Sequence, residues 1–267
     1  MNKIVVITGG TSGIGKELVA LYKSKQDTVI SIARNVEHPD EFNVRCNVSD
    51  EIMVKATIEN IGTKFGRIDI LINCAGYGLS GALELIPTED ADKLFKVNMM
   101  GPFMVNKYAI KYMKKGSVIV HIASACSLFA LPFRGLYCAS KSALDMYSDC
   151  LRMELKPQNI KVISICPGDV KTNFTKNRVK ISETNQRYGK RISNSAHNID
   201  KNQEKRMSPA YVAQQIAKKV EKKNPKPMYI IGAKYKLLYF ASRIFPRRTI
   251  LFFTEKMFNG KNKKDWV

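Results

Sequence analysis

Tyr137 and Lys141 stand four residues apart in the stretch LYCASK, within a run whose pattern is helical. Positions i and i+4 share one face of a helix, so both side chains can point into one site. A phenol with a pKa of about 10 is a slow acid or base near neutrality, and a nearby ammonium lowers that pKa by favouring the phenolate. The pair therefore indicates a tyrosine that exchanges a proton with substrate. Taken alone, the same spacing is more typical of a surface pair.

A glycine-rich turn precedes this pair by more than a hundred residues. The stretch TGGTSGIG, from Thr8 to Gly15, follows an apolar run and opens a helical pattern. Gly9 permits a tight turn, Gly13 lets the backbone approach a pyrophosphate, and Gly15 permits close packing of helix on strand. The N–H groups and positive dipole end of such a helix bind phosphate. The turn predicts a dinucleotide site.

Short β-branched runs alternate with helical patterns along the chain. The predicted strands are 3–8, 28–33, 68–73, 117–123, 160–166 and 229–233, and the predicted helices are 14–24, 50–62, 88–114 and 136–156. Nearly continuous apolar strands separated by helices indicate a parallel sheet covered on both faces. We therefore expect an α/β fold, a Rossmann-type doubly wound sheet in three α/β/α layers, forming a single domain over 1–267.

The end of the second predicted strand bears on cofactor choice. It reads SIARN, with Arg34 and no carboxylate until Glu37. A carboxylate there would accept from the ribose 2′-hydroxyl of NAD, whereas a guanidinium suits the additional phosphate of NADP. The sequence therefore favours NADP(H), with NAD(H) as the alternative.

At this point the chain resembles the short-chain dehydrogenase/reductase family over nearly all of its length. The matching motifs are T-G-x3-G-x-G at Thr8 to Gly15, N-C-A-G at Asn73 to Gly76, Asn98 in KVNMMG, Ser124 in IASACS, Y-x3-K at Tyr137 and Lys141, and P-G-x-V-x-T at Pro167 to Thr172. Within the family, the chain is most similar to the 17β-hydroxysteroid dehydrogenase-like branch. Cys74 replaces the second asparagine of the family, and Asn47 stands where the family usually has an aspartate that contacts adenine.

The resemblance implies a role for each matching residue. Tyr137 would be the acid/base, Lys141 would lower its pKa and reach the nicotinamide ribose, Ser124 would polarise the substrate oxygen, and Asn98 would hold a water of a proton relay. Thr172 would bind the carboxamide. The full set of implied cofactor contacts is Thr8, Gly9, Thr11, Ser12, Gly13, Ile14, Gly15, Arg34, Asn47, Val48, Asn73, Ala75, Gly76, Tyr137, Lys141, Pro167, Gly168, Val170 and Thr172.

Charge is distributed unevenly along the 267 residues, whose formal net charge is +21. Residues 1–170 carry 20 Lys/Arg and 17 Asp/Glu, and residues 171–267 carry 24 and 6. The segment 173–206 is polar and aperiodic, which is typical of a substrate lid. A basic amphipathic extension, 234–267, breaks at Pro246. It predicts either peripheral membrane contact or, as the preferred alternative, packing on the domain or on a second copy.

Cysteine and histidine patterns indicate no metal site. The six cysteines form no C-x-x-C pair, so they are interpreted as free thiols of a reducing, cytoplasmic compartment. His121 lies in an apolar strand and is interpreted as a hydrogen-bonded core residue, whereas Asp145 and Asp149 are expected to be solvated.

Three functions follow from these observations. The leading one is an NADP(H)-dependent oxidoreductase that interconverts a carbonyl and an alcohol on a steroid, a retinoid or another lipid-like molecule. Leu128, Phe129 and Phe133 are candidate wall residues for that substrate. The alternatives are a 3-oxoacyl-carrier-protein reductase-like enzyme and a non-catalytic NADPH sensor. Nucleic-acid binding is not expected, and the resemblance implies a homo-dimer or homo-tetramer.

Overall fold

One parallel sheet forms the centre of the molecule. The computed structural model describes residues 2–175, 177–182, 185–200 and 206–259, with backbone alone at 196–200 and 257–259. Parts of the predicted lid and of the predicted extension lie outside the described residues. Within them, the strands are β1 (Ile4–Thr8), β2 (Thr28–Ala33), β3 (Asn43–Arg45), β4 (Ile70–Asn73), β5 (Leu79–Ser80), β6 (Val118–Ile122), β7 (Lys161–Pro167), β8 (Val179–Lys180) and β9 (Met228–Ile231).

The strand order of the main sheet is β3-β2-β1-β4-β6-β7-β9, and all of its pairings are parallel. The chain winds outward from β1 to β3 and then returns to β4 on the other side of β1. Thr8 and Asn73 are partners at the carboxyl ends of β1 and β4. This reversal of direction leaves a crevice at those ends, which is where doubly wound sheets bind their ligands.

The helices cover both faces of the sheet. They are α1 (Gly13–Ser24), α2 (Glu51–Phe65), α3 (Thr88–Phe95), α4 (Gly101–Ala109), α5 (Gly135–Glu154), α6 (Arg191–Asp200), α7 (Pro209–Val220), α8 (Ala233–Ile244) and α9 (Arg247–Asn259). Helices α1 and α7 pack together on one face, and α2 and α4 pack together on the other. Short 3₁₀ turns connect several of these elements.

The strand β1 shows why the sequence takes this arrangement. All five of its residues are buried, and they alternate between two cores. Val6 packs with Val54 and Met104 beneath α2 and α4. Ile7, on the opposite face, packs with Leu18 of α1 in the second core. Because consecutive side chains of a strand point to opposite faces, a continuous apolar run needs cover on both sides. The predicted three-layer α/β/α fold is confirmed.

The structure corrects several predicted boundaries. A π-helical turn, Lys96–Met100, divides the single helix expected at 88–114 into α3 and α4. After α4, the chain ends this region with a 3₁₀ turn at Ile110–Tyr112. The short strand β3 and the helix α7 were not predicted. The segment interpreted as an aperiodic lid contains β8 and α6. The break at Pro246 is confirmed, since it separates α8 from α9.

No helix in the described part of the chain is both long enough and apolar enough to span a bilayer.

Candidate active site

The glycine turn lies at the carboxyl end of β1 and leads directly into α1. Gly9 and Gly13 have φ angles of +71° and +52°, a region that glycine adopts readily. A β-carbon on Gly15 would overlap the carbonyl oxygen of Gly9, so the helix can approach the strand this closely only with glycine at that position. The tight turn predicted at Gly9 and the close helix–strand packing predicted at Gly15 match the observed backbone, whereas the pyrophosphate contact of Gly13 stays a prediction.

Two other segments complete a cradle around this turn. The hydroxyl of Thr8 accepts hydrogen bonds from the backbone N–H groups of Cys74 and Ala75, at 3.1 and 3.2 Å. A β-carbon on Gly13 would lie 3.2 Å from the methyl carbon of Thr172, which is in the loop after β7. The glycine turn thus faces Thr172 across a narrow gap. A dinucleotide fits this cradle, because the N-terminus of α1 borders the cavity and side chains larger than glycine at Gly9 and Gly13 would take up space beside it.

One cavity of about 1150 Å³ runs from this cradle past the tyrosine. We call its two ends the glycine-turn end, bordered by Gly9, Gly13 and Thr172, and the lid end, bordered by Phe174, Arg178 and Leu238. Of the predicted contacts, those that line the cavity are Gly9, Ser12, Gly13, Ile14, Ala75, Gly76, Ser124, Tyr137, Lys141, Pro167, Gly168, Val170 and Thr172. Residues separated by up to 163 positions in the chain therefore meet in one space.

Helix α5 places Tyr137 and Lys141 together. Its buried residues include Tyr137, Lys141, Leu144 and Leu151, which recur at helical spacing and form one stripe facing the sheet. The predicted shared face is therefore observed, and the pair is not on the surface. Ser124, at the end of β6, accepts from the backbone N–H of Cys126 at 3.1 Å and also forms a hydrogen bond with Tyr137.

The pKa of Tyr137 is raised, not lowered as the sequence predicted. Lys141 was expected to lower it, but the structure gives a raised pKa, because the phenol is buried and burial penalises the phenolate. The Cys126 sulfur adds to this shift, whereas the hydrogen bond from Ser124 and the charge of Arg178 oppose it. Tyr137 therefore carries its proton at neutral pH, as a proton donor to a carbonyl requires.

Lys141 is buried as well, and its Nζ donates to the carbonyl oxygen of Ile122 at 2.8 Å. Burial lowers the pKa of Lys141 to about 8, because the ammonium loses hydration. A β-carbon on Gly76 would lie 3.4 Å from this nitrogen and 3.0 Å from Oδ1 of Asn98. Lys141 and Asn98 thus meet at the backbone of Gly76.

Asn98 is held by the π-helical turn, whose widened backbone directs this side chain inward, as such turns often do at functional sites. It accepts from the N–H of Tyr77 at 3.1 Å and donates to the Tyr77 carbonyl at 3.0 Å and to the Ser140 hydroxyl at 3.2 Å. These bonds fix the loop after β4 beside Lys141. The water relay assigned to Asn98 stays a prediction.

Arg34 lies away from the main cavity, in a smaller pocket of about 350 Å³. Arg45, which the sequence interpretation missed, lines the same pocket and donates to the carbonyl oxygen of Val36 through Nε and Nη2, at 3.1 and 2.6 Å. Two guanidinium groups therefore border the end of β2. Arg45 could be recognised only from the pairing of β3 with β2, in which it is the partner of Ala33.

Four other predicted contacts lie outside the main cavity. Oδ1 of Asn47 accepts from the N–H and hydroxyl of Ser49, at 3.2 and 2.9 Å, so its oxygen is used within the loop. Val48 packs on Gly101. Asn73 donates to Asn106 at 3.0 Å, and Thr11 is exposed. None of these four side chains lines the main cavity, which departs from the set of contacts that the resemblance implies.

The lid end contains residues that the sequence interpretation did not assign. Arg178 and Phe174 come from the lid segment, and the Phe174 ring lies 5.8 Å from that of Tyr137. Pairing of β8 with β5 holds this segment, since the Val179 N–H donates to the Gly78 carbonyl at 3.0 Å. The remaining lining side chains include Arg134, Arg206, Leu131, Leu238, Tyr235 and Asp169. Of the three candidate wall residues, Phe129 lines the cavity, whereas Leu128 and Phe133 do not.

Two polar side chains near the site, His121 and Asp145, are at least partly buried. His121 contacts Asn106 at 2.8 Å and Ser148 at 2.6 Å, and burial lowers its pKa to about 3, so the prediction of a hydrogen-bonded core histidine is confirmed. Asp145 is half-buried rather than solvated, and burial raises its pKa. Among the described residues, no cluster of His, Cys, Asp and Glu has the arrangement of a metal site.

Comparison with known proteins agrees with this geometry. A model of the short chain dehydrogenase family matches residues 3–182. The chain is 33% identical over 249 residues to a 3-ketodihydrosphingosine reductase of Bacteroides thetaiotaomicron, covering 90% of this chain and 92% of that one. It is also 33% identical over 242 residues to dehydrogenase/reductase SDR family member 7B of Rattus norvegicus, covering 83% and 71%. The latter gives loose support to the hydroxysteroid dehydrogenase-like branch.

A solved short-chain dehydrogenase from Streptomyces avermitilis superposes with a TM-score of 0.84 at 25% identity, over 96% of this chain and 97% of that chain. The similarity thus includes the sheet, the glycine turn and the helices after β9. The chain belongs to the short-chain dehydrogenase/reductase family and is an oxidoreductase of that family.

Proposed function

We propose that the protein is an NADP(H)-dependent oxidoreductase that interconverts a carbonyl and an alcohol on a lipid-like substrate. The observation that carries the proposal is the cavity itself, which joins the glycine-turn cradle to Tyr137 and Ser124 and then continues to an apolar wall. The bound cofactor supplies or accepts a hydride at the substrate carbon. Residues of the chain orient the substrate and donate the proton.

Ser124 and Tyr137 would receive the substrate oxygen. Tyr137 keeps its proton because burial raises its pKa, so it can donate to the alkoxide that develops as a carbonyl is reduced. Ser124 orients that oxygen through its hydroxyl. The Lys141 ammonium, held by the Ile122 carbonyl on the same stripe of α5, would bind the nicotinamide ribose, as the family resemblance implies.

Arg34 and Arg45 support NADP(H) over NAD(H). Both line the pocket at the end of β2, where a doubly wound fold places the ribose of the adenosine half. A phosphate there would accept charge-assisted hydrogen bonds from the guanidinium groups. Glu37 is in the same pocket, so an NAD(H) preference is the outcome that would contradict this part of the proposal.

The lining of the lid end supports an amphiphilic substrate. Phe129, Leu131 and Leu238 supply an apolar wall, whereas Arg134 and Arg178 supply cationic groups beside Tyr137. A lipid-like ketone with a polar or acidic end matches this combination better than a wholly apolar steroid or retinoid. The named 3-ketodihydrosphingosine reductase is a relative that acts on a lipid-like ketone, which supports the same substrate class.

The alternatives make different demands on the site. A 3-oxoacyl-carrier-protein reductase would need an acidic carrier to dock beside the cavity, which the basic C-terminal third permits. A non-catalytic sensor would not need Ser124, Tyr137 and Lys141 gathered in one cavity. A cytoplasmic location and a homo-dimer or homo-tetramer stay predictions.

One experiment tests the proposal. Oxidation of NADPH and of NADH is followed with long-chain ketones that end in neutral or acidic groups, a steroid, a retinoid and a 3-oxoacyl thioester. We expect turnover with NADPH and a long-chain ketone, reduced by about 10³-fold in Tyr137→Phe. Tyr147→Phe is the matched control, since Tyr147 lies on the same helix and its hydroxyl bonds to Asn106 rather than to the cavity. Full activity in Tyr137→Phe would contradict the mechanism.

A further inference from the structure

The helices α8 and α9 leave an apolar surface uncovered. On α8, Leu238 and Tyr239 pack against the cluster of Phe129, Leu131 and Cys138. Leu237 and Phe240 point the other way and are 70% and 65% exposed. Ile244, also exposed, follows at i+7 from Leu237, so the three side chains form one stripe along the outside of the helix.

Helix α9 exposes a second group of large apolar side chains. Ile250 packs with the same inner cluster and Thr254 is buried, whereas Leu251, Phe252 and Phe253 are 42–57% exposed. The rings of Phe252 and Phe253 lie 5.7 Å apart, edge to face. We define the apolar face as Leu237, Phe240, Ile244, Leu251, Phe252 and Phe253. A concentration of large apolar side chains on two adjacent helices is typical of an interaction surface.

Most charges around the apolar face are positive. Residues 233–259 contain six Lys/Arg and a single carboxylate, Glu255. Lys256 lies 4.4 Å above the Phe252 ring, and Arg247 and Arg248 are exposed in the turn that begins α9. Docking the apolar face on a second copy would bring these cations together, which is unfavourable. An anionic lipid surface complements both the apolar side chains and the charges.

We propose that the apolar face docks into the interfacial region of an anionic phospholipid membrane, with Arg247, Arg248 and Lys256 on the lipid phosphates. The amphipathic, basic character of the two helices is that of interfacial elements, which insert an apolar face to the depth of the headgroup boundary. A membrane span is not involved, since neither helix could cross a bilayer.

The apolar face also borders the active-site cavity. Leu238, Thr254 and Lys256 line that cavity, and Lys256 contacts Phe252 of the apolar face. The lid end therefore opens beside the docked surface. This second step rests on the proposed function: a lipid-like ketone would pass between the membrane and the lid end without crossing bulk water.

The docking test uses full-length protein and flotation with vesicles. One set contains phosphatidylglycerol in phosphatidylcholine, and the other contains phosphatidylcholine alone, at about 0.15 M salt, where the Debye length is about 8 Å. We expect at least tenfold stronger binding to the anionic set, roughly as expected for several cations near a charged surface. Binding that is equal on both sets, or absent from both, would overturn the proposal.

Paired variants separate the apolar and charged contributions. Phe252→Glu/Phe253→Glu should abolish binding, whereas Ile52→Glu, at an 82% exposed position of α2, should not change it. Arg247→Glu/Arg248→Glu should weaken binding at least tenfold. Lys114→Glu/Lys115→Glu, which changes the net charge equally at exposed residues before β6, should have a much smaller effect. Equal losses in the variants of each pair would contradict the assigned surface.

Two further measurements keep this proposal separate from the proposed function. Flotation of Tyr137→Phe should match the wild type, so docking can be tested in the absence of turnover. Sedimentation velocity without lipid tests whether a second copy of the chain covers the apolar face instead. If Phe252→Glu/Phe253→Glu converts a dimer to a monomer, the apolar face binds a second copy and the membrane proposal is wrong. An unchanged oligomeric state together with lost flotation is the supporting result.

Discussion

The glycine-turn end and the lid end of the cavity are built from different parts of the polypeptide. At the glycine-turn end, backbone approaches backbone closely, since a β-carbon on Gly9 would lie 2.9 Å from backbone atoms of Ala75. At the lid end, the surface consists of side chains from α5, α8 and the lid segment, among them Arg134, Arg178 and Leu238. A substitution that adds atoms between closely packed backbone segments creates a clash, whereas one lining side chain can be replaced by another without moving the backbone.

This difference separates a part of the site that suits any dinucleotide from a part that can select a substrate. Backbone N–H groups can bind any pyrophosphate, so the glycine-turn end needs only the fold and its glycines. Recognition of one particular ketone needs shape and charge, which side chains supply. The two ends should therefore respond to mutation in different ways.

The largest effect is expected for Gly15→Ala. The added methyl would overlap the Gly9 carbonyl and push α1 away from β1, so NADPH affinity should fall more than about 100-fold, with a loss of roughly 1–3 kcal/mol in the free energy of unfolding. Fluorescence titration and urea unfolding measure the two quantities. Gly116→Ala is the control for affinity, since no atom lies within 4 Å of its β-carbon position, and its positive φ, unlike the helical φ of Gly15, lets an added methyl lower stability away from the glycine turn. A similar loss of affinity in both variants would contradict the packing argument.

Lys141 gives the next largest effect, through pH. Its pKa is lowered from 10.5 to about 8 in the folded protein, so between these values the unfolded chain binds more protons and stability rises with pH. Relative to Lys141→Met, the wild type should gain roughly 3 kcal/mol in the free energy of unfolding from pH 8 to pH 10.5. Urea unfolding at several pH values measures the difference. The same comparison with Lys114→Met, at an exposed lysine, should show no such gain. If the difference in the free energy of unfolding between the wild type and Lys141→Met does not change with pH, the ammonium of Lys141 is not buried.

A smaller effect is expected for Arg34→Ser. The loss of a charge-assisted contact with the 2′-phosphate should weaken NADPH binding by about tenfold to a hundredfold, while NADH binding stays unchanged. Isothermal titration with each cofactor measures the ratio. Arg67→Ser is the control, because Arg67 bonds to Asp69 at the other end of the sheet. Equal loss of affinity for NADPH and NADH would show that Arg34 does not contact the 2′-phosphate.

The smallest effect is expected for Arg178→Gln at the lid end. KM for a ketone with an acidic end should rise about tenfold, roughly the worth of one hydrogen bond to a charged group, with NADPH affinity unchanged. Steady-state kinetics with acidic and neutral ketones of equal chain length measures this effect. Arg187→Gln serves as the control, since Arg187 is also in the lid but pairs with Glu84 on the surface. A rise in KM for the neutral ketone alone would contradict recognition by charge.

Most of the fold and of the glycine-turn end could be predicted, because their signals are local. An apolar run such as Ile4–Thr8 needs cover on both faces, and a glycine turn after it has few alternatives. Errors arose where the outcome depends on neighbours. At the π-helical turn, the Asn98 side chain bonds to Tyr77 and Ser140, which are distant in the chain, so no helical periodicity reveals the turn.

The amino-acid sequence by itself determined which groups could do chemistry and that Tyr137 and Lys141 share a helix face. Only the tertiary structure decided their pKa values, since burial raises the pKa of Tyr137 and lowers that of Lys141. It also decided that Arg45 joins Arg34, and that Arg178 lies beside Tyr137. These contacts join segments far apart in the chain, and the free energy of burying a charge depends on everything packed around it.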